Sequence, residues 1–355
     1  MKFMRSIAAL LSLSLALIAL PALGAGTIPS GGPFDNWRNL LDNGAFNFAQ
    51  RTTTSVTGVN TTPTYLWDRW AGYANAGGAS LSLVNGTSSL PTPFTNAARV
   101  QRASSNSSTQ LICLVQEVAS NRVIPLRGQP VAISAWMNAG ANFSAASSIV
   151  SMRLVTGTAA DEGLAALLSG WTGAATSSFS QAISSTWGRY VFTAPVPSDA
   201  SEAAVELCYT PVGTAGTNDY FQATGIQAEF GTVASNFEWR SPAVEILLLQ
   251  QYFYRLNEAA NLVPMPGYCQ ATGATAGSCV IPLPVVMRTA PTINFTAGSI
   301  KVNIAGTPTS LATPTFSTPT TRTLFFTIQN TNTAGQLELI QGGGGSGIIQ
   351  AEANF

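Results

Sequence analysis

The sequence contains no histidine. That absence removes Ser-His-Asp and Cys-His catalysis, histidine metal sites and the side chain that ordinarily switches near neutral pH. Charge is scarce as well. Only 9% of the 355 residues are charged, 16 basic against 16 acidic, for a formal net charge of +0. Soluble domains usually carry about a quarter. A neutral surface has no long-range field to gather phosphate backbones or acidic lipids, so no nucleic-acid partner is expected. Long apolar runs are missing beyond the N-terminus, and no second membrane segment is found. There are four cysteines, too few for a disulfide-built scaffold but an even number.

Apolar residues make up 46% of the chain, enough for a sizeable core. With so little charge, the surface falls to Ser, Thr, Asn, Gln and Gly, which suits neutral, hydroxyl-rich partners such as sugars. The N-terminus reads MKFMRSIAALLSLSLALIALPALGAG. Lys2 and Arg5 precede an apolar run from Ile7 to Leu20, followed by Pro21 and small residues near Gly24. This is the order of a secretory signal peptide, assigned to residues 1–24. The run is short for a span of about 20 residues. No membrane span is therefore expected after cleavage, and a Gly/Pro linker follows at residues 25–33.

An exported chain turns its cysteines into disulfides. Cys113, Cys208, Cys269 and Cys279 allow three connectivities. Cys269 and Cys279 bracket a Gly/Ala/Thr loop, where local pairing is natural. Cys113 and Cys208 lie in strand-like runs, and a bond between them would close a loop worth about 4–5 kcal/mol.

Short apolar runs alternate with turn clusters such as PLRGQP, VPSDAS and GTAGTND. Strands are predicted at Ala79–Val84, Leu111–Val118, Val131–Met137, Ile149–Val155, Arg189–Thr193, Ala203–Tyr209 and Phe221–Phe230. This pattern predicts an all-β sandwich over residues 34–240. One segment breaks it. Ser241 is a plausible N-cap, Pro242 suits the first helical position, and Glu245 complements the dipole. Residues 241–258 read as a linking helix, apolar on more than one face, which must be clamped between domains or subunits. Strand patterns return at Cys279–Val286, Thr292–Phe295, Ile300–Ile304, Thr323–Ile328 and Leu337–Ile340, giving a smaller C-terminal β-domain over residues 259–355.

RNLLDNGAFNFAQR (Arg38–Arg51) followed by YLWDRWAGY (Tyr65–Tyr73) resembles the opening of tail-fibre and related structural proteins of bacteriophages and prophages. LVQEVASNRVIPLRGQPVAISAWMNAG (Leu114–Gly140), TWGRYVFTAPVPSDAS (Thr186–Ser201), the stretch Gln227–Leu256 and LPVVMRTAPTINF (Leu283–Phe295) resemble that family's later blocks, in the same order. The family's first domain is similar to carbohydrate-binding modules with a jelly-roll β-sandwich. The resemblance implies a non-catalytic adhesin or structural virion part, often trimeric, with the helix linking sandwich to distal domain at a subunit interface. Its location would be secreted or virion. The sequence departs from the pattern at Ala45 and Asn47, where related proteins often carry carboxylates that help hold a structural calcium. A hard cation wants several oxygen ligands, so no metal or other cofactor is assigned.

In the strand ISAWMNAG, Ser134, Trp136 and Asn138 share one face. That mixture of an aromatic ring with polar groups is what a glycan site needs, although a core position would serve Trp136 equally. Trp171 lies in a loop, where it is either a ring for a ligand or a lid. Tyr209 and Tyr220 flank the loop TPVGTAGTND and would rim a site. These six are the candidate ligand-binding residues for a cell-surface glycan or polysaccharide; no catalytic residue is assigned. The alternatives are a virion component without ligand, a secreted polysaccharide-binding protein, and a polysaccharide-active enzyme using Glu117, Glu206 or Glu229.

Overall fold

The computed structural model describes residues 38–354 apart from 52–54, 76–80, 87–88, 257–263, 274–275, 297–299, 305–306, 311–313, 318, 329–334, 336 and 343–348. The expected signal peptide and linker lie outside the described residues. Twelve strands build the first part of the fold: β1 (Ser55–Val59), β2 (Thr64–Trp67), β3 (Trp70–Ala74), β4 (Leu81–Gly86), β5 (Ala97–Arg102), β6 (Ile112–Val118), β7 (Pro130–Ala139), β8 (Ile149–Gly157), β9 (Ala175–Ala182), β10 (Gly188–Pro195), β11 (Glu202–Tyr209) and β12 (Tyr220–Phe230). The chain passes back and forth between two six-stranded antiparallel sheets. The first has the order β1-β4-β5-β12-β7-β10 and the second β2-β3-β6-β11-β8-β9. This is the all-β sandwich that the turn spacing implied, and its strand order fits the jelly roll that the resemblance implied.

Period-two alternation explains which residues fill it. In β7, Val131, Ile133, Ala135 and Met137 point inward and are buried. From the facing sheet Ile112 and Leu114 of β6, Met152 of β8, and Val205 and Leu207 of β11 meet them. Close packing leaves no spare volume at the seams. A Cβ on Gly44 would lie 2.0 Å from the carbonyl oxygen of Ile226, so only glycine lets the N-terminal segment reach β12 there.

Ser241 caps the next element as expected, its side chain accepting from the Val244 amide with Pro242 at the first turn. The helix runs Pro242–Gln250, shorter than the predicted 241–258. The chain then turns into β13 (Phe253–Leu256). Apolar content was read as helix, but the aromatic and branched residues there are equally good strand formers, and a partner strand decides. The helix also differs in its burial. Leu248 and Leu249 are buried, whereas Leu247 is 46% exposed, so among the described residues one side is covered rather than several.

The remaining strands are β14 (Pro264–Gly273), β15 (Ala276–Pro282), β16 (Thr292–Phe295), β17 (Ile300–Ile304), β18 (Thr307–Ser310), β19 (Thr315–Phe316), β20 (Thr323–Ile328), β21 (Leu337–Gly342) and β22 (Ile349–Glu352). They form a three-stranded sheet, β13-β22-β16, and a seven-stranded one, β18-β17-β21-β14-β15-β20-β19. Their core includes Ile281, Val302, Leu324, Phe326, Ile340 and Ile349. These strands are not cut off from the sandwich, because residues Trp37–Phe355 form one compact unit. Arg51 pairs with Glu352 at 2.9 Å and lies over the Phe253 ring, Arg69 lies over Tyr252, and Arg288 pairs with Asp161 at 3.1 Å.

Asp42 ties the N-terminal segment to both halves. Its carboxylate is fully buried and meets Arg122 at 2.9 Å, Arg240 at 3.3 Å and Arg69 at 3.8 Å. Its backbone exchanges hydrogen bonds with the Gln116 side chain and accepts from the Trp70 indole. Burial opposes its charge, but the guanidiniums of Arg122, Arg69 and Arg240 outweigh burial and hold its carboxyl below the ordinary 3.8.

Two disulfides close the strand pairs, Cys113–Cys208 and Cys269–Cys279. The first spans 95 residues and the second 10. In the chain-entropy model the first is worth about 4.7 kcal/mol and the second about 2.8. The double substitution Cys113→Ser/Cys208→Ser should therefore lower the denaturant midpoint more than Cys269→Ser/Cys279→Ser. Asp42→Asn removes the carboxylate that Arg69, Arg122 and Arg240 share, leaving Arg240 with Glu238 and Glu245, and should cost about 3–5 kcal/mol in urea unfolding. Because the native carboxyl is depressed, its stabilisation is present above the unfolded value near 3.8 and disappears as pH falls below it. Wild type and Asp42→Asn should converge in stability at low pH.

Candidate functional site

The two outer faces of the sandwich are treated differently by the sequence. On the second sheet, Ala71, Tyr73, Cys113, Val115, Val155, Ala204 and Cys208 point outward and form a small apolar cluster. The connection between β8 and β9 lies over them, with a short helix, Leu164–Ser169, and Trp171 pressed down. Trp171 is 4% exposed and its indole donates to the Gly163 carbonyl at 3.1 Å. It is a lid, not a ring offered to a ligand.

Three acids lie on this covered face. Glu206 is held by Arg153 at 2.9 Å and by the Tyr73 hydroxyl, which donates to it. Burial raises the pKa of both Glu206 and Tyr73, with the carboxylate adding to the tyrosine's shift. Glu117 is buried, and neither carboxylate oxygen has a hydrogen-bond partner among the described residues. Burial pushes its carboxyl up to about 8; Arg69 opposes this and Glu202 adds to it. Glu202 is also raised, mainly by burial. Glu229 stands on the other sheet, bonded to Ser235 and Gln227. Glu117, Glu206 and Glu229 therefore do not converge on one cleft.

The outer face of the first sheet is polar. Register places its residues in rows. Tyr220 of β12 stands opposite Gln101 of β5, and Gln222 stands between Arg99 and Asn138. Trp136 stands between Thr224 and Arg189, and Ser134 between Gln227 and Val191. The side chains brace one another. Gln222 donates to Asn138 at 3.1 Å, Arg189 to Ser134 at 3.2 Å, Gln101 to the Thr217 carbonyl at 2.8 Å, and Arg99 lies 4.3 Å from the Tyr220 ring centre. Trp136 and Tyr220 are half-buried, each with part of its ring open to solvent. Ser134 and Asn138 are buried beneath them as supports.

Four of the six sequence candidates, Ser134, Trp136, Asn138 and Tyr220, thus share this face. Trp171 does not, for the reason above. Tyr209 does not either. Along β11 the residues Ala203, Val205, Leu207 and Tyr209 point inward, and Tyr209 packs on Phe143 and Phe221 with ring centres at 4.8 and 5.7 Å. It is a core residue, and the alternation from Glu206 and Cys208 was the sequence signal for that. Arg99, Gln101, Arg189 and Gln222 were missed, although alternation in β5, β10 and β12 marks them in the same way.

A second feature lies beside Asn47 and the segment leading to the helix. Phe94, Phe237 and Trp239 form a ring trio, with centres 5.0–5.3 Å apart. Phe94 is buried, whereas Trp239 is 49% exposed. Next to them is a pocket of about 210 Å3, lined by residues that include Asn47, Thr95, Phe237, Trp239, Arg240 and Glu245.

No protein-family profile matches the chain, and a search of curated proteins returns no match. Solved structures give low-scoring similarities. A CBM4 module is 16% identical, with a TM-score of 0.31 over 54% of this chain and 99% of the module. The enzymatically active domain of tailspike protein 4 from bacteriophage CBA120 is 11% identical, with a TM-score of 0.33 over 54% of this chain and 21% of that one. A CBM61 module in complex with β-1,4-galactotriose is 10% identical, with a TM-score of 0.29 over 55% of this chain and 100% of the module. At these scores the similarities carry no argument about ligand or activity.

Glu117 yields a test of the covered face. A carboxyl whose native pKa is raised stabilises fully below its unfolded value of 4.5, and that contribution is lost as pH rises toward about 8. Glu117→Gln keeps a neutral side chain at every pH. The melting temperature of wild type should fall relative to this variant between about pH 5 and 8.

Proposed function

We propose that this protein is an exported, non-catalytic glycan-binding protein, which holds a polysaccharide across the outer face of its first sheet. The observation that carries this reading is Trp136, a partly open ring on a sheet face where most neighbouring side chains are polar and braced. An aromatic face covers the CH-rich side of a sugar ring, while fixed amides and guanidiniums meet its hydroxyls. Arg189, Arg99 and Gln101, which are partly exposed, are the groups near the ring that can meet hydroxyls, with Asn138 and Gln222 buried behind them as supports, and Tyr220 lies two rows along, suited to a neighbouring sugar. The site is a shallow face rather than a closed cavity, which favours an extended chain over a small free ligand.

The finer reading is a phage-tail-like adhesin, working as a trimer. Modest affinity at each shallow face is then raised by several faces engaging one surface. Supporting this are the ordered tail-fibre-like blocks of the sequence and the half-exposed Leu247 on the helix, which leaves apolar surface for a second copy. A structural virion part without a ligand is the competing reading, favoured by the same exposed Leu247.

A polysaccharide array with the mature chain decides between them. Binding to at least one polysaccharide is expected, with no release of reducing ends. Trp136→Ala should weaken that binding about tenfold or more, equivalent to roughly 1.4 kcal/mol, with the fold retained because the ring lies on the outside of the sheet and not in the core between the sheets. Absence of binding to any glycan, or binding unaffected by Trp136→Ala, overturns the site. A solution mass of three chains is expected for the adhesin, and a monomer overturns that part alone.

A further inference from the structure

We propose that the pocket beside Trp239 is a second carbohydrate site, built to hold a single hexopyranose ring and separate from the sheet face. The pocket's size sets the class of ligand. Its volume is about 210 Å3, below the roughly 300–1,000 Å3 of sites for drug-sized ligands. One sugar ring fits this space; several do not.

Chemistry narrows it further. Trp239 supplies a ring that is 49% exposed, held at one side by Phe94 and Phe237. A half-exposed indole with its neighbours already packed is a rigid platform rather than a mobile side chain. Polar groups converge from three separate segments. Asn47 is exposed; its side-chain oxygen accepts from Asn96 at 2.9 Å and from Thr95 at 3.5 Å. Its orientation is thereby fixed, and its amide N–H groups have no partner among the described residues. Across the pocket, Glu245 accepts from the Asn43 amide and pairs with Arg240 at 3.4 Å. Its oxygens still have lone pairs for an alcohol donor. Donors, acceptors and one flat ring are the combination a hexose requires, since its hydroxyls both donate and accept while one ring face is apolar.

Charge argues for a neutral sugar. Arg240 is already matched by Asp42, Glu238 and Glu245, so no guanidinium is left over to balance a sugar carboxylate. An amide at Asn47 brings N–H donors to the wall of the pocket.

Saturation-transfer NMR with a panel of free neutral hexoses, including glucose, galactose, mannose and N-acetylglucosamine, tests this on the mature chain. At least one should give transfer, with an affinity in the millimolar range. Trp239→Ala should abolish the signal. Asn47→Ala, at an exposed position that need not disturb folding, should weaken it about tenfold. All of these are read in a Trp136→Ala background, which removes the sheet-face platform and in which the signal should persist, so the pocket is separated from the sheet face whether or not that face binds polysaccharide. No transfer from any hexose, transfer that survives both Trp239→Ala and Asn47→Ala, or a loss of oligomer mass in Trp239→Ala without any sugar signal overturns the proposal.

Discussion

Three arginines from distant parts of the chain converge on the carboxylate of Asp42, and the rest of the architecture hangs on that meeting. Arg69 follows β2, Arg122 follows β6, and Arg240 precedes the helix. Such a group is costly to remove from water and is repaid only when its partners are all in place. The arrangement is therefore conditional. The N-terminal segment, the second sheet and the helix must each be positioned before the charge is satisfied. Backbone hydrogen bonds from Leu40 to Ala228 and from Ile226 to Gly44 set the register of this segment on β12, and the buried carboxylate with its three partners ties it to the second sheet and the helix. The pocket by Trp239 inherits its shape from this point, because Arg240 and Glu245 line it and Arg240 is fixed by Asp42.

The sandwich also resolves a problem common to two-sheet folds, that four faces exist and only two can face each other. Here the second sheet's outer face is apolar and is closed over by the Leu164–Ser169 segment with Trp171. The first sheet's outer face is polar: Gln222, Thr224 and Asn138 are buried there, while Arg99, Trp136, Arg189 and Tyr220 are only partly covered. The difference lies in residue choice at outward positions: Ala71, Val115 and Ala204 on one, Arg99, Gln222 and Asn138 on the other. A polar face can leave its larger side chains partly in water, and those are what a partner can reach.

Much of this was legible in the sequence. The strands from Ile112 to Phe230 are found almost where alternation and turn residues put them, because burial on one side leaves a period-two trace. The pairing of Ser134, Trp136 and Asn138 on one face followed from the same trace. Where reading failed, the reason was physical. Residues Phe253–Leu256 were read into the helix because the choice between helix and strand there is made by β22, about a hundred residues away. Strand β9, ATSSFSQA, was missed because an edge strand with mostly exposed residues leaves no apolar signal. Tyr209 was misplaced because its flanking loop drew more weight than its parity in β11. The cluster around Asp42 had no local signature, since its members are brought together only by the fold.

The three-stranded sheet has β22 in the middle, between β13 and β16. In sequence β22 comes after both. A ribosome delivers the two outer strands first and then continues for dozens of residues before supplying the strand that joins them. At about 5–20 residues per second the delay between β13 and β22 is on the order of ten seconds. During that time β13 and β16 lack the strand that joins them, so this sheet closes only once nearly the whole chain has been made.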